Sequence, residues 1–209
     1  MTKKVSNALN IVLNVFLVIA IIVTAYFIFY SFTHFSSNVQ GTSMLPTYNS
    51  NGGEDRILAS KIAHYSYGDV VILSVQDEEN QKTKDIIKRV YAFGGDSVDM
   101  KFDGHYLSII VNGEVVSENQ YSEPIDYNGN EPLTYINFCT LKNSWRGEGG
   151  GSEPIILPEN TIFVLGDNRL DSSDSATHGA YDISSVKAKV LTTIAENSFA
   201  PFELLKYYL

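Results

Sequence analysis

The hexapeptide Ile86-Ile87-Lys88-Arg89-Val90-Tyr91 places two adjacent basic residues inside a run of β-branched and aromatic side chains. Such a run predicts a β-strand, extending over 86–92, in which Lys88 shares a face with Ile86 and Val90 while Arg89 points to the opposite face. An amine on an apolar face loses hydration of its charged form, which lowers its pKa, whereas a guanidinium stays protonated. Lys88 is therefore a candidate general base; the alternative is an ordinary strand lysine that extends to the sheet edge.

The rest of the chain after the N-terminal segment also predicts strands. Further β-branched or aromatic runs bounded by Gly, Pro, Asn or Asp are Arg56–Ser60, Val70–Val75, Tyr106–Val111, Glu114–Val116, Thr161–Leu165 and Val186–Ala195. Asn112-Gly113, between two of these runs, is a strong hairpin signal. No amphipathic helix of more than two turns stands out beyond the N-terminal apolar run. The predicted fold class is mainly β, with antiparallel strands.

One stretch departs from this pattern and is interpreted as an insertion or lid at about 103–159. Residues Ser117–Pro158 are richer in Glu, Asn, Gly and Pro, and Gly147-Glu148-Gly149-Gly150-Gly151 is expected to form a flexible tip. Trp145 lies within the stretch and is expected to be a packing anchor rather than a ligand contact. The stretch shows no repeat and no recognisable chemistry.

A second motif is the turn Gly41-Thr42-Ser43-Met44-Leu45-Pro46-Thr47. Gly41 gives the backbone freedom, while Pro46 fixes φ and prevents a helix or inner strand from continuing. Such a turn can project the Ser43 hydroxyl as a nucleophile and leave neighbouring N–H groups as oxyanion donors. The alternative is a turn serine bonded to its own backbone. Met44 is expected to shape a substrate groove or touch lipid, with core packing as the alternative.

The third motif is a loop that begins Gly166-Asp167-Asn168 and continues through Ser172-Ser173-Asp174-Ser175. A neutral amine acting as a base needs a partner to hold it, and a serine hydroxyl does so without adding charge. Asp167 and Asp174 are expected to bind backbone groups or cations and so shape the loop. The spacing of a calcium-binding loop is not met. The alternative is a polar turn that follows a strand.

The segment Ile11–Phe32 contains 22 residues without a charge. As a helix it would be about 33 Å long, which matches a bilayer core of about 30 Å. Lys3 and Lys4 precede it, and the first charge after it is Glu54. The positive-inside rule then predicts a cytoplasmic N-terminus over 1–10, a transmembrane anchor over 11–33 and an external domain over 34–209. A cleaved signal peptide is the competing interpretation, but its apolar region would be unusually long.

Composition excludes several classes of function. The 209-residue chain has a net charge of −9, and all 24 acidic residues follow the apolar run, so the domain repels nucleic acid and no nucleic-acid partner is expected. Four histidines and no Gly-x-Ser-x-Gly motif disfavour a Ser-His-Asp hydrolase. The single cysteine, Cys139, has no disulfide or metal-site partner and is expected to be a buried thiol. Neither a metal nor a cofactor is expected.

In this order and behind an apolar anchor, the three motifs resemble the bacterial type I signal peptidases, the serine–lysine branch, from about Val39 to Ala195. The resemblance implies a signal peptidase-like antiparallel β domain with an inserted β-rich subdomain. It implies that Ser43 is the nucleophile, Lys88 the general base and Ser172 the group that orients the amine. The Ser43 N–H would be one oxyanion donor; where some members add a hydroxyl this chain has Gly41, as in the Gram-positive-like branch.

The resemblance further implies a single-pass enzyme of the cell membrane with an extracellular catalytic domain, acting on secreted preproteins with signal peptides. Its partners would be those preproteins, the lipid bilayer, and the secretion or pilus assembly machinery. A catalytically weak or inactive accessory factor for surface pilus assembly is the alternative; such proteins often lose the serine or the lysine, and both are present here. The eukaryotic-like branch has histidine at the position of Lys88, and a self-cleaving serine–lysine repressor would carry a DNA-binding domain.

Three positions depart from the family pattern. Ala176 stands where the family usually has an arginine that pairs with the loop aspartate, so another residue such as Arg169 must replace it if the loop is to be rigid. The segment Ala92-Phe93-Gly94-Gly95-Asp96 lacks the usual glycine and proline at positions 92 and 94. These departures predict a divergent member with a narrower set of clients than a housekeeping enzyme.

Overall fold

The structure, a computed structural model, describes residues 2–77, 82–116, 125–195 and 199–208. Part of the stretch interpreted as an insertion, residues 117–124, lies outside the described residues. The described helices are α1 Thr2–Thr33, α2 Leu133–Ser144, α3 Ser175–His178 and α4 Ala200–Tyr208. The strands are β1 His34–Asn38, β2 Arg56–Ser60, β3 Val70–Asp77, β4 Lys82–Phe93, β5 Ser97–Phe102, β6 Leu107–Val111, β7 Glu114–Val115, β8 Gly149–Gly150, β9 Glu153–Ile156, β10 Thr161–Leu165, β11 Tyr181–Asp182 and β12 Val186–Ile194.

The strands form two sheets in which all the pairs are antiparallel. The larger sheet has the order β1-β2-β12-β3-β4-β10-β11, and the smaller has the order β7-β6-β5-β9-β8. Strand β4 is central to the larger sheet: its residues Lys82–Arg89 pair with the whole of β3, and its C-terminal end pairs with β10. The predicted class, a mainly β antiparallel fold preceded by an apolar helix, is confirmed.

The larger sheet buries both of its faces, as alternation along β3 shows. Val70 and Ile72 belong to one apolar cluster, and Val71 and Leu73 belong to another on the opposite face. Burial on both faces explains why β3 is a continuous apolar run, since each face needs side chains that exclude water. The turn around Met44 packs on the first of these clusters, which brings the serine motif onto the sheet.

Several strand predictions coincide with the structure. Arg56–Ser60 and Thr161–Leu165 have the predicted bounds, and the hairpin at Asn112-Gly113 joins β6 to β7 with positive φ at both residues. The lysine strand begins at Lys82 rather than Ile86, because its first residues still pair with the end of β3. The sequence analysis did not identify β5, although Val98 and Met100 are buried at alternate positions, as a half-buried strand requires.

The expectation that no helix of more than two turns follows the anchor is wrong. Helix α2 has 12 residues and buries Thr134 and Phe138, one turn apart. It packs Phe138 into a core that the two sheets share, with its ring centroid 6.3 Å from that of Phe163 in β10, and the partly buried Trp145 belongs to the same cluster. Trp145 is thus a packing residue, as expected. Cys139, on the same helix, is half-buried rather than buried.

Candidate active site

Lys88 and Ser43 are in direct contact, although 45 residues separate them in the chain. Lys88 Nζ donates to Ser43 Oγ at 2.7 Å. Lys88 is only 3% exposed, because it lies in the interior of β4 opposite Val71 of β3. The amine therefore does not extend to the sheet edge, which was the alternative open for a strand lysine.

The environment of Lys88 lowers the pKa of its amine. Burial is the main cause, since it removes water from the charged form; the carboxylates of Asp174, Asp167 and Asp171 oppose the shift without cancelling it. A neutral amine at hydrogen-bond distance from a hydroxyl can accept its proton. The pair therefore has the geometry expected of a nucleophile and its general base.

The turn that carries Ser43 is held by the loop that follows β10. Asn168 N donates to Ser43 O at 3.0 Å, and Asn168 Nδ2 donates to Thr42 O at 3.1 Å. Thr42 Oγ1 in turn donates to Asp171 Oδ2 at 2.6 Å. In the part of the chain that the structure describes, no group accepts the Ser43 N–H, which leaves this donor available to a ligand. Gly41 has a φ of 82°, a conformation that favours glycine.

Ser172 lies beside the nucleophile but does not bond the lysine amine. Its hydroxyl donates to Asp174 Oδ2 at 2.5 Å, and among the described residues Lys88 Nζ has only Ser43 as a hydrogen-bond partner. The structure therefore contains no direct hydrogen bond between Ser172 and Lys88, although the resemblance led us to expect one. The loop can approach the serine turn closely because position 166 is a glycine. A Cβ at Gly166 would lie 2.2 Å from Ser172 Oγ and 2.4 Å from Ser43 O.

Asp174 is fully buried and organises the loop through three donors. Its carboxylate accepts from Gly166 N at 2.9 Å, from Ala176 N at 3.0 Å and from the Ser172 hydroxyl. It caps the short helix α3 through the Ala176 N–H. It is also the carboxylate that most opposes the lowering of the pKa of Lys88. Asp174 thus binds backbone groups, one of the two roles expected for it.

Asp167 takes the other role and binds a cation. Arg89 Nε donates to Asp167 Oδ1 at 2.9 Å and Arg89 Nη2 donates to Oδ2 at 2.6 Å, with both side chains buried. Thr47 Oγ1 donates to the same carboxylate at 2.5 Å, which ties the serine turn to the loop. The sequence analysis assigned no partner to Arg89 and overlooked Thr47. A buried arginine needs an acid, so the apolar strand around Arg89 was the available signal.

The position of the missing family arginine is part of the core. Ala176 is fully buried in the cluster that contains Phe138 and Phe163, so a long charged side chain has no room there. Arg169 holds the loop in another way, with Nε donating to Gly166 O at 2.9 Å and Nη2 donating to the Tyr91 hydroxyl at 2.6 Å. Loop contacts expected of one arginine are thus distributed over Arg89 and Arg169.

Met44 is 1% exposed and packs in the core under the turn. This location matches the core-packing alternative and not a groove or a lipid contact. No group of three or more His, Cys, Asp or Glu side chains that could hold a metal ion occurs within the described residues.

Two cavities open on either side of the Ser43–Lys88 contact. The smaller, of about 380 Å³, lies between the segment 37–40 after α1 and the segment 85–88 of β4, with Ile57 and Ile72 at its base. The larger, of about 740 Å³, is lined by polar side chains that include Lys84, Asp77 and His178. The serine and lysine line both cavities, so an extended chain crossing from one to the other would pass over the hydroxyl.

The pH dependence of hydrolysis is expected to follow the Lys88 amine. The protonated amine cannot accept a proton, so kcat/KM should rise with pH through a pKa that burial holds below the ordinary value of 10.5. The sign follows from deprotonation being the activating event. Hydrolysis of a peptide at saturating and at low concentration, measured across the pH range, gives this pKa. A kcat/KM that falls as the pH rises from about 6 to 9 would contradict the assignment.

Comparison with known sequences identifies the family of the chain. The sequence profile of the family described as signal peptidase, peptidase S26, matches residues 11–195. The chain belongs to this family.

Individual relatives extend the comparison. Signal peptidase I of Bacillus licheniformis is 33% identical over 141 residues, which cover 66% of this chain and 63% of the relative. The probable thylakoidal processing peptidase 2 of Arabidopsis thaliana is 31% identical over 172 residues, 78% of this chain but 39% of the relative. A crystal structure of a signal peptidase I from Enterococcus faecalis V583 covers 63% of this chain at 21% identity and a TM-score of 0.39, too weak a likeness to add to the assignment. The chain thus spans less than two thirds of the length of both sequence relatives.

Proposed function

We propose that this chain is a membrane-anchored serine endopeptidase that removes signal peptides from secreted or surface preproteins. The observation that carries the proposal is the 2.7 Å contact between a buried lysine amine and the hydroxyl of Ser43. The family assignment supports the reaction class. A catalytically inactive accessory role is not favoured, because both reactive side chains are present and in contact.

In the proposed reaction Ser43 Oγ attacks the scissile carbonyl carbon while its proton moves to the neutral amine of Lys88. The Ser43 N–H, which no described group accepts, is the donor proposed for the oxyanion that forms. Lys88 then returns the proton to the leaving amine and leaves an acyl group on Ser43. A water molecule then gives a proton to Lys88 and attacks this ester, and Lys88 passes that proton to Ser43 Oγ as the carboxylic acid leaves, which restores the hydroxyl and the neutral amine. The hydrogen bonds from Asn168 to the turn are proposed to keep Ser43 in place through both steps.

The smaller cavity is proposed to hold the residues before the cut. The cavity is next to Ser43 and is lined by the segments 37–40 and 85–88. The side chains of Val39, Ile57 and Ile72 form the apolar part of its wall. An extended peptide exposes alternate side chains to such a wall. From the resemblance to the signal peptidases we expect small side chains at the first and third positions before the cut. The departures at Ala176 and Gly94 lead us to expect a restricted set of precursors.

A cleavage assay tests the function directly. The full chain in detergent should cut a synthetic precursor junction with alanine at those two positions, and Ser43→Ala should reduce the rate by about 10⁴-fold or more, because the nucleophile is lost. Ser108→Ala, a serine of strand β6 in the smaller sheet, is the matched control and should retain full activity. Equal cutting of junctions with alanine and with bulky residues would refute the assignment of the smaller cavity to the residues before the cut. Cutting by Ser43→Ala would refute the assignment of Ser43 as the nucleophile.

Membrane attachment is proposed through α1. Residues Leu9–Thr33 form 25 helical residues, and their most apolar 18-residue window has a mean hydropathy of 2.8 and no buried side chains. The lysines at positions 3 and 4 and the acidic external segment orient the N-terminus toward the cytoplasm. Protease added to intact cells should therefore degrade the domain after Thr33. Complete protection of the domain in intact cells, with degradation after lysis, would reverse the proposed orientation.

A further inference from the structure

The C-terminal helix α4 packs against the apolar helix α1 as well as against the β domain. The Tyr26 hydroxyl of α1 donates to Pro201 O, and the ring centroids of Phe27 and Phe199 are 6.0 Å apart. On the other side of α4, Ala200 and Leu204 are buried in a cluster with strands β2 and β12. Helix α4 is therefore wedged between the β domain and the side of α1.

The contact points on α1 lie well inside its apolar span. Tyr26 and Phe27 precede the end of the span at Thr33 by six or seven residues, which corresponds to about 10 Å along a helix axis. Pro201 and Phe199 touch α1 at this level. If α1 spans a bilayer, the N-terminal end of α4 sits below the outer boundary of the apolar span, at about the 5–10 Å depth of interfacial amphipathic helices.

Two exposed aromatic side chains lie side by side at the N-terminal end of α4, Phe199 just before the helix and Phe202 in its first turn. Phe199 is 55% exposed and Phe202 is 57% exposed, and their ring centroids are 5.3 Å apart. Two adjacent phenyl rings that remain half-exposed would be unfavourable in water, since each could bury more of its apolar surface elsewhere. Their position beside the exposed lipid-facing surface of α1 gives them an apolar surrounding.

We propose that α4 lies in the outer interface of the bilayer, with Phe199 and Phe202 inserted among the lipid acyl chains as a second membrane contact. The proposal rests on the membrane insertion of α1. Lipid is the occupant because the aromatic face is continuous with the surface of a membrane-spanning helix and lies at the same depth. One helix leaves a domain free to rotate about the helix axis, whereas two contacts fix which side of the β domain faces the membrane.

Spin-label accessibility in lipid nanodiscs tests the depth. In the full chain with Cys139→Ser, single cysteines are introduced as Phe202→Cys, Phe16→Cys and Val115→Cys. Phe16 is an exposed residue within the apolar span, and Val115 is an exposed apolar residue of β7 in the smaller sheet. The measured quantity is the ratio of the collision rate with oxygen to the collision rate with a nickel chelate. This ratio should be at least about threefold higher for the Phe202 label than for the Val115 label, because oxygen concentrates in lipid and the chelate is excluded.

The three labels separate the possible outcomes. A Phe16 label in lipid with a Phe202 label in water overturns this proposal while leaving the anchor intact. A Phe16 label in water overturns the anchor and this proposal together. Spin–spin broadening between Phe202 labels would show that a second copy of the chain covers the face, and this also overturns lipid as the occupant.

A functional comparison uses the matched charge variants Phe202→Glu and Val115→Glu. Neither residue belongs to the catalytic site, so both variants should cut a short soluble peptide at the parent rate. Phe202→Glu should cut a membrane-inserted precursor about tenfold more slowly, because a carboxylate resists entry into the interface, and Val115→Glu should cut it normally. Equal rates for the two variants on the inserted precursor would overturn the proposal.

Discussion

Replacing Lys88 by arginine is expected to reduce peptide cleavage by about 10³-fold or more, although charge and length are nearly conserved. The guanidinium remains protonated and cannot take the proton of Ser43 Oγ. Lys88→Met should be equally inactive, because its thioether cannot take the proton either. The measurement is kcat/KM on a synthetic precursor junction, with thermal unfolding of each variant to show that the fold is retained.

Lys84→Arg is the matched control, since Lys84 is on the same strand and lines the larger cavity without contacting the hydroxyl. It should retain activity.

Ser172→Ala should have an intermediate effect, about 10²-fold, if Ser172 acts by positioning the site. In the structure that effect would pass through Asp174, to which the Ser172 hydroxyl donates. Near-normal turnover by Lys88→Arg would show that another group is the base.

Removing one member of the buried Arg89–Asp167 pair is expected to have the largest effect on stability. Asp167→Leu should lower the free energy of unfolding by about 3–5 kcal/mol, because it leaves a buried guanidinium without its carboxylate. The double variant Arg89→Met with Asp167→Leu should recover most of this loss, since two apolar side chains of similar volume can replace a buried ion pair. Urea unfolding of the full chain in detergent provides the measurement.

The exposed ion pair of Lys187 with Asp85 is the control for the buried pair. Its two charged atoms are 2.6 Å apart, and each side chain is nearly half exposed. Lys187→Met should change the free energy of unfolding by less than about 1 kcal/mol, because solvent screens an exposed pair. A loss for Asp167→Leu no larger than that for Lys187→Met would mean that the Arg89 contact does not hold the loop. The activity of the double variant would show separately whether the loop is still placed correctly.

The sequence predicted the placement of Lys88 well because a strand has a fixed period. Alternation with Ile86 and Val90 put the amine on an apolar face without any knowledge of its partners. The partner of Ser172 could not be predicted in this way. The direction of a loop hydroxyl depends on the backbone path through Gly166 and on the buried position of Asp174, and both are set by packing between distant segments. The resemblance to a family therefore suggested a direct contact that the structure does not contain.

The helices were harder to predict for a different reason. Helix α2 mixes β-branched, aromatic and polar residues, so its sequence has no clear apolar stripe, and its helical form depends on packing Phe138 into the core that the two sheets share. The role of Arg89 was missed because pairing requires a residue 78 positions away. Local patterns identified strands and candidate residues, while long-range packing decided which groups met.

The junction between α1 and β1 has no intervening residue, because α1 ends at Thr33 and β1 begins at His34. Lys61 N donates to Thr33 O at 2.8 Å, and Thr33 Oγ1 and His34 Nδ1 are hydrogen-bonded at 2.7 Å, so sheet and helix are joined as one stiff piece. Only five strand residues, about 17 Å of chain, separate the helix end from the segment that leads to Ser43. With α1 in a bilayer, the height of the cleft above the lipid would be fixed. The proposed peptidase would then select precursors by the distance between the cleavage site and the precursor's own membrane segment.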